Sequence, residues 1–439
     1  MTADEKAASA AAPARPAAPD GGREPSPFGD RGFRRLFLAA AVSQTGTQVT
    51  ALAVPVLAVT TLDAGPAAVG GLGALSTAAF LVVGLPAGAW VDRWRRRRVM
   101  IVADLVRAAL LAWVPVAAWL GVLALWQLYA VVVCTGVATV FFDVSSLSLL
   151  PGLLGRDRLL RANGALSGMY ATSEVAGLTA GGVLVQTLTA PVALLLDIAS
   201  YLWSAACLRG IPARVDGRPR PAGTTLLREV GEGLRYVLGH PVLRPALLEG
   251  ACINAGAQMC FTLLPVLFLR DLHLSEGALG AYLAAGGVGV FAGSTAARAL
   301  GERLGQGRAL WLVGLAAMPA VALVPLVDRG PLLWVTAVAW IAVTFRVGVN
   351  TVIKASFRQR VTPDRLLGRM NATFRFLLTG SLTVGAALGG LLAQGAGVRS
   401  ALWAGAALLG PSWLIIRFSA VRTLRTLDGG LHGKDPSDA

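Results

Sequence analysis

Eight ionisable side chains fall inside long apolar runs of this sequence: Asp104, Arg107, Asp143, Glu174, Asp197, Glu249, Arg346 and Arg375. A charge in hydrocarbon costs about 2.5 kcal/mol or more unless it is paired or wet, so each is a candidate for proton or ligand chemistry. Asp104 and Arg107 stand one helical turn apart, a spacing that predicts a local ion pair. Glu174 has no opposite charge within one turn, and burial disfavours its charged form, which makes it the first candidate to bind and release a proton. Asp143 is the second, with Arg346 and Arg375 as candidate partners across a helix interface. Asp197 is expected to bond neighbouring helices. Glu249, close to an interface, does not stand out.

Amides form a second set. Gln44 and Gln48 are four residues apart, as are Asn254 and Gln258, so each pair shares a helix face. Facing lipid, each amide would cost several kcal/mol, so both pairs must face protein or water. The expectation is that they line a substrate cavity together with Asn350. The plainer alternative is hydrogen bonding between helices.

The elements that position these groups follow from composition. Hydrophobic residues are 55% of the 439-residue chain and charged residues 14%, and the mean hydropathy is +0.64. Soluble domains run at roughly 45–50% apolar and roughly 25% charged. A bilayer core needs about 20 apolar helical residues per crossing. Twelve such runs are readable: 36–59, 68–91, 99–120, 125–150, 163–188, 190–208, 244–269, 276–299, 308–327, 331–353, 370–394 and 398–418.

The net charge of +15 is a topology signal rather than a nucleic-acid footprint. Arg93, Arg95 to Arg98, Arg156, Arg158, Arg161, a run from Arg209 to Arg244, Arg358, Arg360, Arg365 and Arg369 fall on one side. The opposite loops hold Arg270, Arg329 and Arg399. By the positive-inside rule both termini are expected in the cytoplasm, in a bacterial inner membrane. Residues 1–30 are rich in Ala and Pro without an apolar h-region, so the first span is expected to serve as the insertion signal and the tail to be disordered. Cys134, Cys207, Cys252 and Cys260 lie inside spans without ligand spacing and read as packing residues. With His240, His273 and His432 scattered, no metal and no cofactor is expected. No GxxxxGK[ST] loop occurs, which excludes nucleotide-driven pumping by this chain.

The sequence repeats itself. GTQVTALAVPVL, Gly46 to Leu57, returns 210 residues later as GAQMCFTLLPVL, Gly256 to Leu267. A shift of 208 pairs Gly177, Gly181, Gly182 and Gln186 with Gly385, Gly389, Gly390 and Gln394, and a shift of 207 pairs Asp143 with Asn350. A constant offset argues for a duplicated six-helix unit. The domains expected are therefore bundles at 31–209 and 244–420, tails at 1–30 and 421–439, and a linker at 210–243. Leu226, Leu227, Val230, Leu234, Val237 and Leu238 give that linker an amphipathic helix, read as a strap between bundles.

GLPAGAWVDRWRRRRV, Gly84 to Val99, carries Gly84 and Gly88 four apart for close helix approach, then Asp92 at the rim. Here the chain resembles the major facilitator superfamily, whose loop reads GxxxDRxGRR; the match is Gly88, Asp92, Arg93, Arg96 and Arg97, with Arg95 in place of a glycine. The resemblance implies that Asp92 latches one conformational state against a helix end of the other bundle. Gly177, Gly181 and Gly182, with Ser173 and Leu178 departing from the pattern, look like the fifth-helix signature of that superfamily's proton-coupled exporters. From about 31 to 420 the chain is similar to the branch that includes siderophore exporters and drug efflux proteins.

The expected protein is an all-α membrane protein with two pseudo-symmetric six-helix bundles. It would be a monomeric, non-enzymatic exporter of a hydrophobic or amphiphilic small molecule such as a drug, antibiotic or siderophore, driven by proton antiport. One charge moving through roughly 100 mV yields about 2.3 kcal/mol, which supports about a fiftyfold gradient. The alternatives are an importer or facilitator of a small metabolite, or a non-transporting receptor or assembly factor.

Overall fold

A computed structural model describes residues 26–91, 93–154, 158–212 and 226–423. It is helical throughout, as a chain in lipid must be when no water is at hand to satisfy its backbone. The first half runs α1 (Arg31–Leu62), α2 (Pro66–Val91), α3 (Arg96–Trp119), α4 (Leu125–Leu154), α5 (Leu159–Leu188) and α6 (Ala190–Arg209). After α7 (Leu226–Gly239), the second half runs α8 (Leu243–Pro265), α9 (Glu276–Leu304), α10 (Gln306–Leu323), α11 (Pro331–Val361), α12 (Asp364–Ala396), α13 (Val398–Leu409) and α14 (Trp413–Arg417).

Local chemistry sets several of these ends. Asp30 caps α1 by accepting the Phe33 amide at 2.8 Å, and Ser275 caps α9 through Ala278 at 3.2 Å. Pro331 opens α11 at a position where its missing N–H costs nothing. Residues 27–30, expected in a disordered tail, instead form a 3-10 turn whose Phe28 ring meets Phe33 and Phe37 at 5.2 and 5.0 Å. The last residues described close with another such turn, Ala420–Thr423, where Val421 is buried.

Among the described residues ten helices are long and apolar enough to cross a membrane, against the twelve expected. The run 398–418 is broken: a 3-10 turn, Gly410–Ser412, separates α13 from α14. Pro411 lacks the N–H that a continuous helix needs. Several side chains of α5 lie outside the described residues. In the second half α8 passes into a π-helical turn, Val266–Asp271, directly after Pro265, whereas α1 runs regularly past the matching Pro55.

The same packings occur in both halves. α1 packs on α5 and α6, as α8 does on α12 and α13; α2 packs on α4, as α9 does on α11; α3 packs on α4, as α10 does on α11. Two packings dominate the join between the halves, α2 with α12 and α5 with α9, and α8 also touches α1 and α2. Gly46, first residue of the repeat, sits against Asp197 and Ser200 of α6, and Gly256 sits against Gly405 and Leu409 of α13. These glycines let the sixth element of each half approach the first.

The two ends of the molecule differ. At the arginine-poor end one apolar core runs through both halves, including Leu57, Val69, Leu194, Leu267, Tyr282 and Leu402. Toward the arginine-rich end the core divides. Phe33, Phe142 and Leu208 belong to a first-half cluster, Phe357 and Ile416 to one in the second half, and Val237 of α7 to another with Met370 and Phe374. α7 is thus strapped to the second half, with Tyr236 Oη donating to the Val361 carbonyl at 3.2 Å and Glu232 paired with Arg369.

Candidate functional site

The cross-half contacts are made by the duplicated glycines. Gly182 of α5 lies against the backbone of Gly280 of α9, and Gly390 of α12 lies against Gly70 of α2. Gly70 and Gly280 are themselves 210 residues apart. A methyl on Gly390 would stand 2.7 Å from the Gly70 Cα, closer than any real contact. Deeper in each half the pattern repeats: a methyl on Gly181 would meet the Val49 Cα at 3.2 Å, and one on Gly389 would meet the Met259 Cα at 3.2 Å. Gly177 packs on the stem of Gln48. All four cross-half glycines lie toward the arginine-poor ends of their helices, where Asp63, directly after α1, also faces Arg270 at 3.7 Å.

Toward the middle, α2 and α12 share a hydroxyl hydrogen bond, Thr77 to Thr383, at 2.7 Å. Asp143 of α4 accepts from Arg375 of α12 at 3.1 Å, a half-exposed bridge between the halves. The Arg375 guanidinium lies 4.4 Å from the Phe80 ring centre, a cation–π seat. Arg375 is therefore the cross-half partner expected for Asp143. Arg346 is not.

Arg346 belongs to a buried cluster within the second half. Its Nη2 stands 3.3 Å from Glu249 Oε1 of α8, with both side chains fully buried. Lys354 pairs with the other carboxylate oxygen, and Asn350 Nδ2 donates to Oε1 at 3.4 Å. Arg346 also donates to the Leu409 carbonyl at 2.9 Å and to Ser412 Oγ at 2.5 Å. These groups sit at the α13 break, whose last carbonyls have lost their helical donors. Arg346 supplies donors there, and Glu249 neutralises it. Glu249 is the residue that sequence reasoning passed over; the available signal was the stripe Arg346, Asn350, Lys354 at successive four-residue steps on one helix face.

In the first half Asp104 and Arg107 form the expected local pair, both buried. The Arg107 guanidinium lies 4.6 and 4.4 Å from the Phe142 and Tyr201 ring centres. Asp197, also fully buried, accepts from Thr50 Oγ1 at 2.5 Å and Ser200 Oγ at 2.9 Å. It bonds neighbouring groups, as read.

Of the amides, Gln44 and Gln48 are half-buried on α1. Asn254 donates to the Leu378 carbonyl of α12 at 3.2 Å, and Gln258 to Thr262 Oγ1 at 3.1 Å. Nearest to Gly84 is the Phe80 ring of its own helix, 3.3 Å from where a Cβ would stand. Arg96 donates to the Ser148 carbonyl at 2.9 Å, and Arg97 to that of Arg209 at 3.4 Å. Asp92 lies outside the described residues, as do the surroundings of Gly88 and the side chain of Glu174, whose backbone lies in α5. The four cysteines are free, and the described residues contain no cluster suited to a metal.

Outside the spans two groups have shifted acidities. The Arg329 amide, then Arg399, hold the Asp328 carboxyl below its usual range. Burial holds the His240 imidazole below its usual value. His240 Nδ1 accepts from the backbone amides of Val242 and Leu243 at 3.2 and 3.4 Å, and so caps the start of α8.

This arrangement of helices is that of solved membrane transporters. A bacterial homologue of the iron transporter ferroportin, in its inward-facing state, superimposes with a TM-score of 0.69 at 16% identity, over 88% of this chain and 98% of that one. The nucleoside transporter NupG gives 0.66 at 11% identity, over 88% and 97%. Residues 24–434 match the family described as transmembrane secretion effector, and the chain belongs to that family of major facilitator transporters. Among its relatives the multidrug efflux pump Tap of Mycolicibacterium fortuitum is 27% identical, over 83% of this chain and 90% of Tap. The enterobactin exporter EntS of Escherichia coli is 26% identical, over 86% and 89%. The MFS-type transporter YkuC of Bacillus subtilis is 23% identical, over 78% and 81%.

Proposed function

We propose that this transporter is a proton-coupled exporter of a hydrophobic or amphiphilic small molecule, of the drug, antibiotic or siderophore kind. In this reading it spans a bacterial inner membrane twelve times, with α5 and the α13–α14 pair completing two bundles of six. Both termini lie in the cytoplasm. The bundles, 31–209 and 244–420, rock about a shared cavity, with 210–243 as the strap and Gln44, Gln48, Asn254, Gln258 and Asn350 offering polar contacts to cargo. The protein acts as a monomer.

The observation that carries alternating access is the contrast between the two ends. Cores merge and duplicated glycines meet at the arginine-poor end, while cores are separate at the arginine-rich end. This is the shape of an inward-open state. The ferroportin homologue agrees, since its outward-facing state superimposes less well, with a TM-score of 0.59 against 0.69. The efflux activities in the names of Tap and EntS support export.

Coupling is assigned to Glu174 of α5, a helix that makes one of the two main cross-half packings, and to Asp143, whose bridge to Arg375 opens as the bundles part. Asp92, Arg93 and Gly88 close the opposite state. Everted vesicles loaded with a fluorescent efflux substrate test this. Accumulation should collapse on adding a protonophore, and Glu174→Gln should insert normally yet fail to accumulate substrate. Accumulation that survives the protonophore refutes antiport; normal efflux by Glu174→Gln removes Glu174 from it.

A further inference from the structure

The arginine run after α2 divides by direction. Arg96 and Arg97 turn inward to carbonyls of α4 and α6. Arg93, Arg95 and Arg98 are exposed and line a groove of about 780 Å³ on the outer face of α3 and α4. None of the described residues lining it is acidic, and these three arginines form no ion pair with a described residue.

Beyond the arginines the groove becomes apolar. Val102, Val106 and Cys134 line its floor and are themselves exposed. Arg98 and Val106 are eight residues apart on one helix, so the apolar stretch continues for about 12 Å along α3. The mouth is aromatic. Trp90 and Trp94 each stack on Phe141 at 6.0 Å between ring centres, where indoles favour the membrane–water boundary.

We propose that this groove is a binding site for an anionic glycerophospholipid of the leaflet facing the arginine-rich end. The guanidiniums would grip the headgroup phosphate with paired, charge-assisted hydrogen bonds. One acyl chain would lie along Val102 and Val106. A zwitterionic lipid offers the same chain but no net charge, so the site discriminates by headgroup. Nothing in this assignment depends on the cargo or on proton coupling.

The test uses the full chain, purified in a neutral detergent and titrated with dioleoyl phosphatidylglycerol or with dioleoyl phosphatidylcholine. Native mass spectrometry counts bound lipid, and maleimide labelling of Cys134 reports position. One phosphatidylglycerol should be retained per chain and should slow Cys134 labelling, with little effect from phosphatidylcholine. The triple variant Arg93→Gln, Arg95→Gln, Arg98→Gln should weaken that binding by about a hundredfold, since each juxtamembrane arginine adds its own attraction to anionic lipid. Val106→Trp, which fills the apolar slot and leaves the charges in place, should also expel the lipid. Arg303→Gln with Arg308→Gln, exposed at the same end of the second half, should leave it bound. Equal protection of Cys134 by both lipids, retention by the triple variant, or indifference to Val106→Trp would overturn the assignment.

Discussion

Replacing Glu249 by Gln tests the buried cluster most directly. The carboxylate is fully buried, with Arg346 at 3.3 Å, also fully buried, and Lys354 on its second oxygen. At an effective dielectric constant of about 20, one such contact at 3.3 Å is worth about 5 kcal/mol before desolvation. Measured losses on removing one partner of a buried pair run at about 3–5 kcal/mol, because the surviving charge stays buried. Here Arg346 keeps its bonds to the Leu409 carbonyl and Ser412, and Gln keeps an acceptor for Asn350. The expected destabilisation is therefore at the lower end, about 3 kcal/mol. Thermal unfolding of the purified protein, followed by loss of the monodisperse chromatographic peak, reads it. Adding Lys354→Met removes one stranded cation, so the double variant should recover part of the loss. Unfolding of Glu249→Gln at the parental temperature would refute the claim that this carboxylate holds α8 to α11 and to the α13 break.

Three further outcomes follow from named contacts. Gly390→Ala forces a methyl against the Gly70 backbone; overpacking of about 1–3 kcal/mol should shift the conformational balance by about 5–150-fold. Increased labelling of cysteines introduced near the arginine-poor end would report that shift, and unchanged labelling would contradict it. Thr189 joins α5 to α6 at φ 75°, where Gly397, 208 residues later, stands at φ 88°. Thr189→Gly should raise thermal stability, since such a backbone costs a side-chain-bearing residue about 1–3 kcal/mol against about 0.5–1 kcal/mol for glycine's added freedom. His240 caps α8 only while neutral, and burial holds its folded-state pKa below the ordinary one. The unfolded chain therefore takes up the proton first, so this stabilisation is present above about pH 6.5 and is lost as pH falls below it. The protection factors of the Val242 and Leu243 amides, taken against the intrinsic exchange rate at each pH, should fall on acidification, and His240→Asn, which keeps an acceptor, should remove that pH dependence.

The duplication was readable because glycine spacing survives where helix backbones touch. Gly177, Gly181 and Gly182 share their offset with Gly385, Gly389 and Gly390, and these are the residues at the close approaches. The local pair Asp104–Arg107 was readable for a similar reason, since one turn of helix fixes it. Glu249 was not, because its partners come from a helix about a hundred residues away and no within-turn search reaches them. From the sequence Arg346, like Arg375, is a candidate partner of Asp143 across a helix interface, and a position in the sequence does not say which neighbouring helix a side chain faces. The α13 break had a sequence signal, Gly410 followed by Pro411, hidden by the apolar run around it.

That break also accounts for how the halves diverged. With the shift of 207, Arg107 corresponds to Gly314 and Thr139 corresponds to Arg346. Arg107 Nη1 reaches Thr139 Oγ1 at 3.4 Å in the first half. In the second half the Arg346 guanidinium carbon lies 3.5 Å from where a Cβ on Gly314 would stand. Each half thus holds one buried guanidinium in the same seat, delivered from α3 in one case and from α11 in the other. In the first half α6 is continuous, so its guanidinium meets rings, Thr139 and Asp104 rather than open carbonyls. In the second half the seat lies beside open carbonyls, and an arginine coming from α11 reaches both them and Glu249. The requirement kept through duplication is a cation in the middle of each bundle, and the helix that supplies it was free to change once Gly314 made room.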